Sequence, residues 1–300
     1  MHRGRGHVSA QEPMGPVDEI DLLALPVTGS VRQRKPGTWR IVAPNPSALT
    51  GPGTNTYVVG TQRPVVIDPG PDDAVHLERI MQVAGGTIER ILCTHSHPDH
   101  SPGAARLRER TGAKVFGQPA PDDGYQDDTY SPDASLVNGE RVIAGASVLR
   151  TIHTPGHASN HVCLLEEDSG LLFTGDHLMS GSTVVILPPD GSMRQYLESL
   201  SYLRTLPVVA IAPGHGAVIP DAIAEIDRVV AHRMKREEKL LSALGRRGAA
   251  TLDDVLGEVY DDVPSFMHAY ARFSLLAHAI KLEEEGRAIR DGDVYRWVAG

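Results

Sequence analysis

Residues 94–100 read Thr-His-Ser-His-Pro-Asp-His, three imidazoles and a carboxylate within six consecutive positions. Few folded environments accommodate such a cluster. Neighbouring imidazoles repel one another on protonation and need a shared partner, and imidazole with carboxylate is the donor set that divalent zinc, iron or nickel accepts. The apolar run 88–93 leads into the cluster and reads as a short buried strand. The cluster therefore falls at a strand's C-terminal end, where α/β sheets usually carry their sites. Side chains two apart on extended backbone point the same way, so His95 and His97 can grip one ion. The turn at Pro98 then aims Asp99 and His100 at a second, adjacent position. A tag-like or low-complexity histidine tract is the alternative. The mixed residues, and their place between a strand and a candidate helix at 102–111, argue against it.

Three later segments repeat the design. An apolar run at 146–149 leads to a turn presenting His157; residues 171–177 end in Gly175-Asp176-His177; residues 208–216 end in Gly214-His215-Gly216. Glycine in each turn permits positive φ or a close backbone approach. Four strand-to-turn segments that each end in a metal-capable side chain imply one shared centre.

At this point the sequence resembles the metallo-β-lactamase-fold hydrolases, whose H-x-H-x-D-H motif is followed by a distant His, a distant Asp and a final His. Here those positions are His95, His97, Asp99, His100, His157, Asp176 and His215. The segment 45–57 and the C-terminal extension resemble the lactamase-beta-2-like group, and the likeness spans roughly residues 38–298. The resemblance implies an α/β fold, an αββα metallo-β-lactamase sandwich followed by a small helical winged-helix-like domain. It also implies a site for two divalent metal ions: His95, His97 and His157 on the first, Asp99, His100 and His215 on the second, Asp176 bridging. Zinc is the expected ion, with iron or manganese as alternatives, since such a mixed donor set discriminates weakly. The implied chemistry is hydrolysis by a metal-bridging hydroxide, with Asp99 orienting the nucleophile.

Around this set, the strand-like run 65–67 ends in Asp68, which is placed to accept a hydrogen bond from a ligand imidazole or else to shape the following Pro-Gly turn. Asn160 and His161 follow His157 closely and are candidates for substrate contact or for capping the next strand. His177 is expected to pack structurally and His153 to hydrogen-bond at a strand end. Residues 118–135 read as a loop beside the metal edge, either a solvated insertion or a gating flap.

The chain has 300 residues, a net charge of −9 and a 41% hydrophobic share. No apolar run approaches the length of a membrane span. Residues 1–21 read as a mobile tail without a secretory signal, 22–218 as the hydrolase domain and 219–300 as a long helix plus winged-helix-like domain. Cys93 and Cys163 read as buried free thiols, which places the protein in the cytoplasm. A helix is predicted from Asp221 to about Leu244, then helices at 251–259 and 265–285 and a hairpin turning at Asp291-Gly292.

That C-terminal composition raises three functional readings. Arg233, Lys235, Arg236, Lys239, Arg246 and Arg247 form a basic concentration, which makes a winged-helix nucleic-acid-binding regulator the non-enzyme alternative. Five nearby glutamates and the acidic net charge oppose it, and it leaves the ligand set unexplained. Within enzymes, the resemblance implies either a single-stranded RNA phosphodiesterase (an endoribonuclease) or an ester or thioester hydrolase acting on a small-molecule or acyl substrate. Segments 94–104, 151–161 and 174–183 contain no Lys or Arg to balance phosphate charge, which favours the acyl substrate. β-Lactam hydrolysis is the least favoured, because the appended module would crowd an open cleft.

Overall fold

The computed structural model describes residues 27–35 and 37–298, so the tail expected at 1–21 lies outside the described residues. Six strands form the first sheet: β1 (Val31–Lys35), β2 (Thr38–Val42), β3 (Asn55–Val59), β4 (Val65–Ile67), β5 (Arg90–Leu92) and β6 (Lys114–Phe116). They lie side by side in chain order, antiparallel through β4 and parallel thereafter. Five more form the second sheet: β7 (Arg141–Ala144), β8 (Ser147–His153), β9 (Val162–Glu166), β10 (Leu171–Gly175) and β11 (Ala210–Pro213), in the order β11-β10-β9-β8-β7.

The central strands carry apolar side chains on both faces, and period-two alternation sends them into different cores. On β3 and β4, Tyr57, Val59, Val65 and Ile67 point into the layer between the sheets, where they meet Leu164 and Phe173. Val58 and Val66 point outward to the helices α1 (Ala74–Val83) and α2 (Gly103–Thr111). On β9 and β10, Val162, Leu164 and Phe173 face the other sheet, while Cys163, Leu165 and Leu172 face outward. There they meet α3 (Met193–Leu203) and the start of α4 (Ala222–Arg247). Two sheets apolar on both faces need helices on both outer sides, and the αββα sandwich is the result.

Side-chain caps set the helix starts: Asp73, Ser192 and Asp221 each accept the backbone N–H three residues on. The long helix α4 runs past the predicted end to Arg247, because Gly248, at φ 72°, stops it. Its 26 residues span about 39 Å. Ile226 and Val229 belong to the sandwich, whereas Leu240 and Leu244 belong to a second core. That core is completed by β12 (Ala250–Thr251), α5 (Leu252–Val259), α6 (His268–Glu284), β13 (Ala288–Asp291) and β14 (Val294–Trp297). Thr251 and Asp254 form the capping box, and the wing turns at Gly292-Asp293, one residue beyond the expected Asp291-Gly292, because Asp291 still pairs with Val294. The predicted helix at 265–285 opens with one 3-10 turn, Ser265–Met267, before α6. Among the described residues no helix is long and apolar enough to cross a membrane.

The basic concentration on this module is largely spent internally. Arg233 and Arg236 are buried against Val184 and Val259 carbonyls. Lys239 pairs with Asp261, and Arg246 and Arg247 pair with Glu258. Arg233 and Arg236 are therefore withdrawn from any cationic face, while Lys239, Arg246 and Arg247 stay at the surface with acidic partners.

Candidate metal centre

The loops following β5, β8, β10 and β11 meet at one edge of the sandwich, and each delivers its candidate ligands there. The side chains fall into two groups: His95, His97 and His157 in one, and Asp99, His100, Asp176 and His215 in the other. Within each group, the donor atoms lie within 4.8 Å of one another. His157 Nε2 faces His97 Nδ1 at 3.1 Å. In the second group, His215 Nε2 lies 3.1 Å from Asp99 Oδ2 and 3.2 Å from Asp176 Oδ1, and His100 Nε2 lies 3.3 Å from the same Asp176 oxygen. The other oxygen of Asp176 turns back toward His157 Nε2, 3.7 Å away. One carboxylate thus offers an oxygen to each group.

Backbone geometry makes this approach possible. Gly175 has φ 45°, and a Cβ there would lie 2.4 Å from Thr94 Oγ1. At Gly214 a Cβ would lie 2.8 Å from both Asp176 Oδ1 and His100 Cε1, so only glycine lets this strand end reach the cluster.

Hydrogen bonds behind the cluster fix ring orientation and tautomer. Asp68 Oδ1 accepts the Thr94 backbone N–H at 2.7 Å; its Oδ2 accepts the Thr94 hydroxyl at 2.8 Å and faces His100 Nδ1 at 3.0 Å. The Thr94 hydroxyl has one proton, which the carboxylate takes. It must therefore accept from His95 Nδ1–H, 3.0 Å away, and the His95 lone pair is left on Nε2. His157 Nδ1 donates to the Val185 carbonyl at 2.8 Å, which likewise leaves Nε2 free. Asp68 is in left-handed backbone conformation (φ 48°), a strained placement kept beside the centre.

Buried polar atoms without partners test whether a cation fits. His95 Nε2, His100 Nε2 and Asp176 Oδ1 are all buried without a hydrogen bond, and all belong to the cluster. An orphaned buried acceptor costs about 1–3 kcal/mol. His95 Nε2 in one group, and His100 Nε2 facing Asp176 Oδ1 in the other, are donors that suit a divalent ion in each, and the residues present fit two.

The two groups titrate in opposite directions. Burial, with the neighbouring imidazoles His100 and His97, holds His95 well below its ordinary range, and burial beside His157 brings His97 down to about 4. In the second group burial also opposes the charged forms, but the carboxylates prevail. Asp99, Asp176 and Asp68 raise His100 well above its usual value, and Asp176 with Asp99 raises His215 to about 9. Reciprocally, Asp99 falls to about 2 and Asp176 well below the carboxylate range, held by His100 and His215.

The remaining predicted positions separate. His161 is fully buried: its Nδ1 bonds Thr154 Oγ1 at 2.9 Å and its Nε2 accepts the backbone N–H of Asp176 at 3.2 Å. It has no surface for a substrate and instead orients the Asp176 loop. Asn160, also buried, donates to Ser96 Oγ at 2.6 Å and to the Pro119 carbonyl at 3.2 Å. Both expected substrate contacts are thus turned inward. His177 packs against Tyr196 with ring centroids 4.7 Å apart, and His153 bonds the Ser159 carbonyl at the end of β8. The loop 118–135 is tied to the cluster segment: Asp127 accepts from Ser101 Oγ and Gln126 from Ser96 Oγ, each at 2.6 Å. Sequence reasoning assigned no role to Asn55 or Tyr57. The Asn55 amide donates to the carbonyls of Pro213 and Gly216, both at 2.9 Å, and the Tyr57 hydroxyl to that of Pro213 at 2.9 Å, so together they brace the His215 loop. A buried Asn at the head of an apolar strand was the one available signal.

Comparison with known proteins agrees with this architecture. A model of the metallo-beta-lactamase superfamily matches residues 49–215, and one of the beta-lactamase associated winged helix domain matches residues 251–297. The chain is 32% identical over 265 residues to a beta-lactamase-like protein 2 homolog of Drosophila melanogaster, covering 83% of this chain and 88% of that one. It is 31% identical over 254 residues to an atrochrysone carboxyl ACP thioesterase of Aspergillus chevalieri, covering 80% and 78% of the two chains. A crystal structure of a beta-lactamase domain protein from Burkholderia ambifaria shares the fold, with a TM-score of 0.78, 20% identity, and coverage of 92% of this chain and 96% of that one. The chain therefore belongs to the metallo-beta-lactamase superfamily of hydrolases and carries the associated winged-helix domain at its C-terminal end.

Proposed function

We propose that the protein hydrolyses an acyl ester or thioester at a centre of two divalent ions. His95, His97 and His157 would hold the first, Asp99, His100 and His215 the second, and Asp176 would serve both. The observation that carries the reading is the Asp176 carboxylate, with one oxygen toward each donor group. Zinc is the ion that an imidazole-rich set of this kind favours, with iron and manganese as the alternatives. Bound there, such a pair supplies Lewis acidity and brings the pKa of a water toward neutrality.

The chain's own residues do the rest. The Asp99 side chain keeps 29% of its surface exposed where His215 keeps 3%, so it is the acid of the cluster that faces an arriving substrate. Its carboxylate accepts a hydrogen bond from the attacking water and aims the oxygen. Asp68, Thr94 and the Val185 carbonyl keep the imidazoles in one tautomer through the reaction.

Two observations support the acyl substrate. A relative covering most of the chain is named as an acyl-carrier-protein thioesterase, and the segments 94–104, 151–161 and 174–183 carry no cation for a phosphodiester. The burial of Arg233 and Arg236 against carbonyls points the same way. The deciding experiment loads the full chain with zinc, iron or manganese and follows thiol release from acyl-pantetheine thioesters, beside short single-stranded RNA and a β-lactam. Thioester turnover that disappears with chelator and returns with metal is expected. Cleavage of RNA with no thioester turnover would overturn the acyl assignment.

A further inference from the structure

We infer that Arg233, on the long helix that joins the two domains, is a positioning residue for the metal centre, and that the C-terminal module thereby sets ion affinity at the His95/His97/His157 group. The inference rests on the metal-site reading above. Arg233 is 2% exposed, yet a carbonyl and an aromatic ring meet its charge, with no carboxylate among the described residues doing so. Its guanidinium donates to the Val184 carbonyl. The next carbonyl along, that of Val185, is the acceptor for His157 Nδ1 at 2.8 Å. The same guanidinium lies over the Tyr196 ring, 5.3 Å from its centroid. The Tyr196 hydroxyl in turn donates to the His177 carbonyl at 2.8 Å, one residue beyond Asp176. One side chain therefore braces, at two points, the connection from β10 to α3 that carries Asp176 and presents the Val185 carbonyl to His157.

A second contact from the module acts on the same strap. Ser274 Oγ on α6 accepts the Ile186 backbone N–H at 3.1 Å in a buried setting. Between them, Arg233 and Ser274 grip residues 184 and 186, and the carbonyl that orients His157 lies between the two. A methionine at 233 would fill similar space without the cost of burying a cation. A charged, directional donor is what fixes a carbonyl strap, and that explains the arginine. His100 and His215 have no such link, since their ring nitrogens are anchored by Asp68 and the Gly53 carbonyl within the sandwich.

The test is a chelator-competition titration of zinc into the full chain, with cobalt(II) absorption as the spectroscopic readout, on the parent protein and on Arg233→Met, Arg233→Lys and Ser274→Ala. The parent is expected to take up about two ions. In Arg233→Met, affinity at the imidazole group is expected to fall about tenfold, the low end for a residue acting through an outer contact. The other group, which Arg233 reaches only through Tyr196 and the carbonyl of the residue after Asp176, should weaken less, by about twofold at most, and the cobalt band of the first site should shift. Arg233→Lys should recover part of the loss. Ser274→Ala should give a smaller loss of the same pattern, which keeps the question open to decision if Arg233→Met does not fold. Arg272→Met removes an exposed pair with Asp253 on the same module and should leave both affinities alone. Unchanged titrations in Arg233→Met and Ser274→Ala overturn the inference, as does equal weakening of both groups. A parent that binds no ion overturns the metal-site reading and, with it, this one.

Discussion

The two donor groups share only the loop after β5 and differ in kind. The first is all imidazole, and burial keeps His95 and His97 uncharged. The second interleaves acids with imidazoles, so that protonated His100 and His215 balance Asp99, Asp176 and Asp68. Without an ion, the first group is a set of free lone pairs, whereas the second already holds protons where a cation would go. The same metal would meet an open seat in one and an exchange in the other.

Asp176 is where this contrast is most easily broken, because it belongs to both sides. Asp176→Ala is expected to lower kcat/KM for any ester by about 10³-fold, the several kcal/mol a catalytic ion contributes. Metal analysis should fall from about two ions per chain toward one or none. Full occupancy with lost activity would assign Asp176 to catalysis alone.

A narrower cut separates the groups. Asp68→Asn should weaken the second group by about 10–100-fold, as replacement of an outer partner of a ligand histidine does, and leave the first nearly intact. Asparagine tolerates the left-handed backbone at this position, so the fold should survive. Competition titration reads the two affinities, and equal losses would contradict the division.

How much of this was legible beforehand depends on whether the physics was local. Each ligand sits a few residues beyond an apolar strand, so a short window contained both the strand and the turn that presents the side chain. The four-layer sandwich came only from the family resemblance; its local basis is that Tyr57 and Val59 alternate with Val58, with both sets apolar. Choice of partner was not local. Asn160 and His161 look like residues of an open rim, yet their partners, Pro119 and the backbone of Asp176, come from other loops and turn them inward. Arg233 and Arg236 looked like a phosphate-binding face, but the carbonyls that consume them lie 49 and 23 residues away. Nor did sequence favour a pinned loop at 118–135 over a flap, since Asp127 meets Ser101 across 26 residues.

The titration contrast predicts different pH dependences for the two ions. His215 is raised to about 9, so below that pH an ion entering the second group must displace a proton. Its affinity should rise about tenfold per pH unit between 6 and 9 for each proton displaced. His97, lowered to about 4, is neutral throughout, and the first ion should bind with flat affinity over the same range. Linkage gives the ion-free protein a matching signature. The raised His215 adds stability that is complete below about 6.5, its unfolded value, and is lost as pH climbs to about 9. The depressed His97, His76 and His278, each at about 4, remove stability as pH falls from about 6.5 to about 4. Calorimetric binding in buffers of different ionisation enthalpy would count the protons released, and a proton-free second ion would show that the carboxylates do not hold these imidazoles charged.

The smallest change tests an atom that links the outer partners of both groups. Thr94 Oγ1 receives the His95 Nδ1 proton on one side and gives its own to Asp68 on the other. Thr94→Val keeps the shape and keeps the backbone N–H on Asp68 Oδ1. What it removes is a tautomer lock from the first group and one support of the His100 partner from the second. Each loss is that of a single hydrogen bond, about 1 kcal/mol, or roughly a fivefold drop in affinity at each group. A drop confined to the first group would mean that Asp68 is held by the backbone alone. A drop confined to the second would mean that His95 needs no lock because the crowded imidazoles already fix its ring.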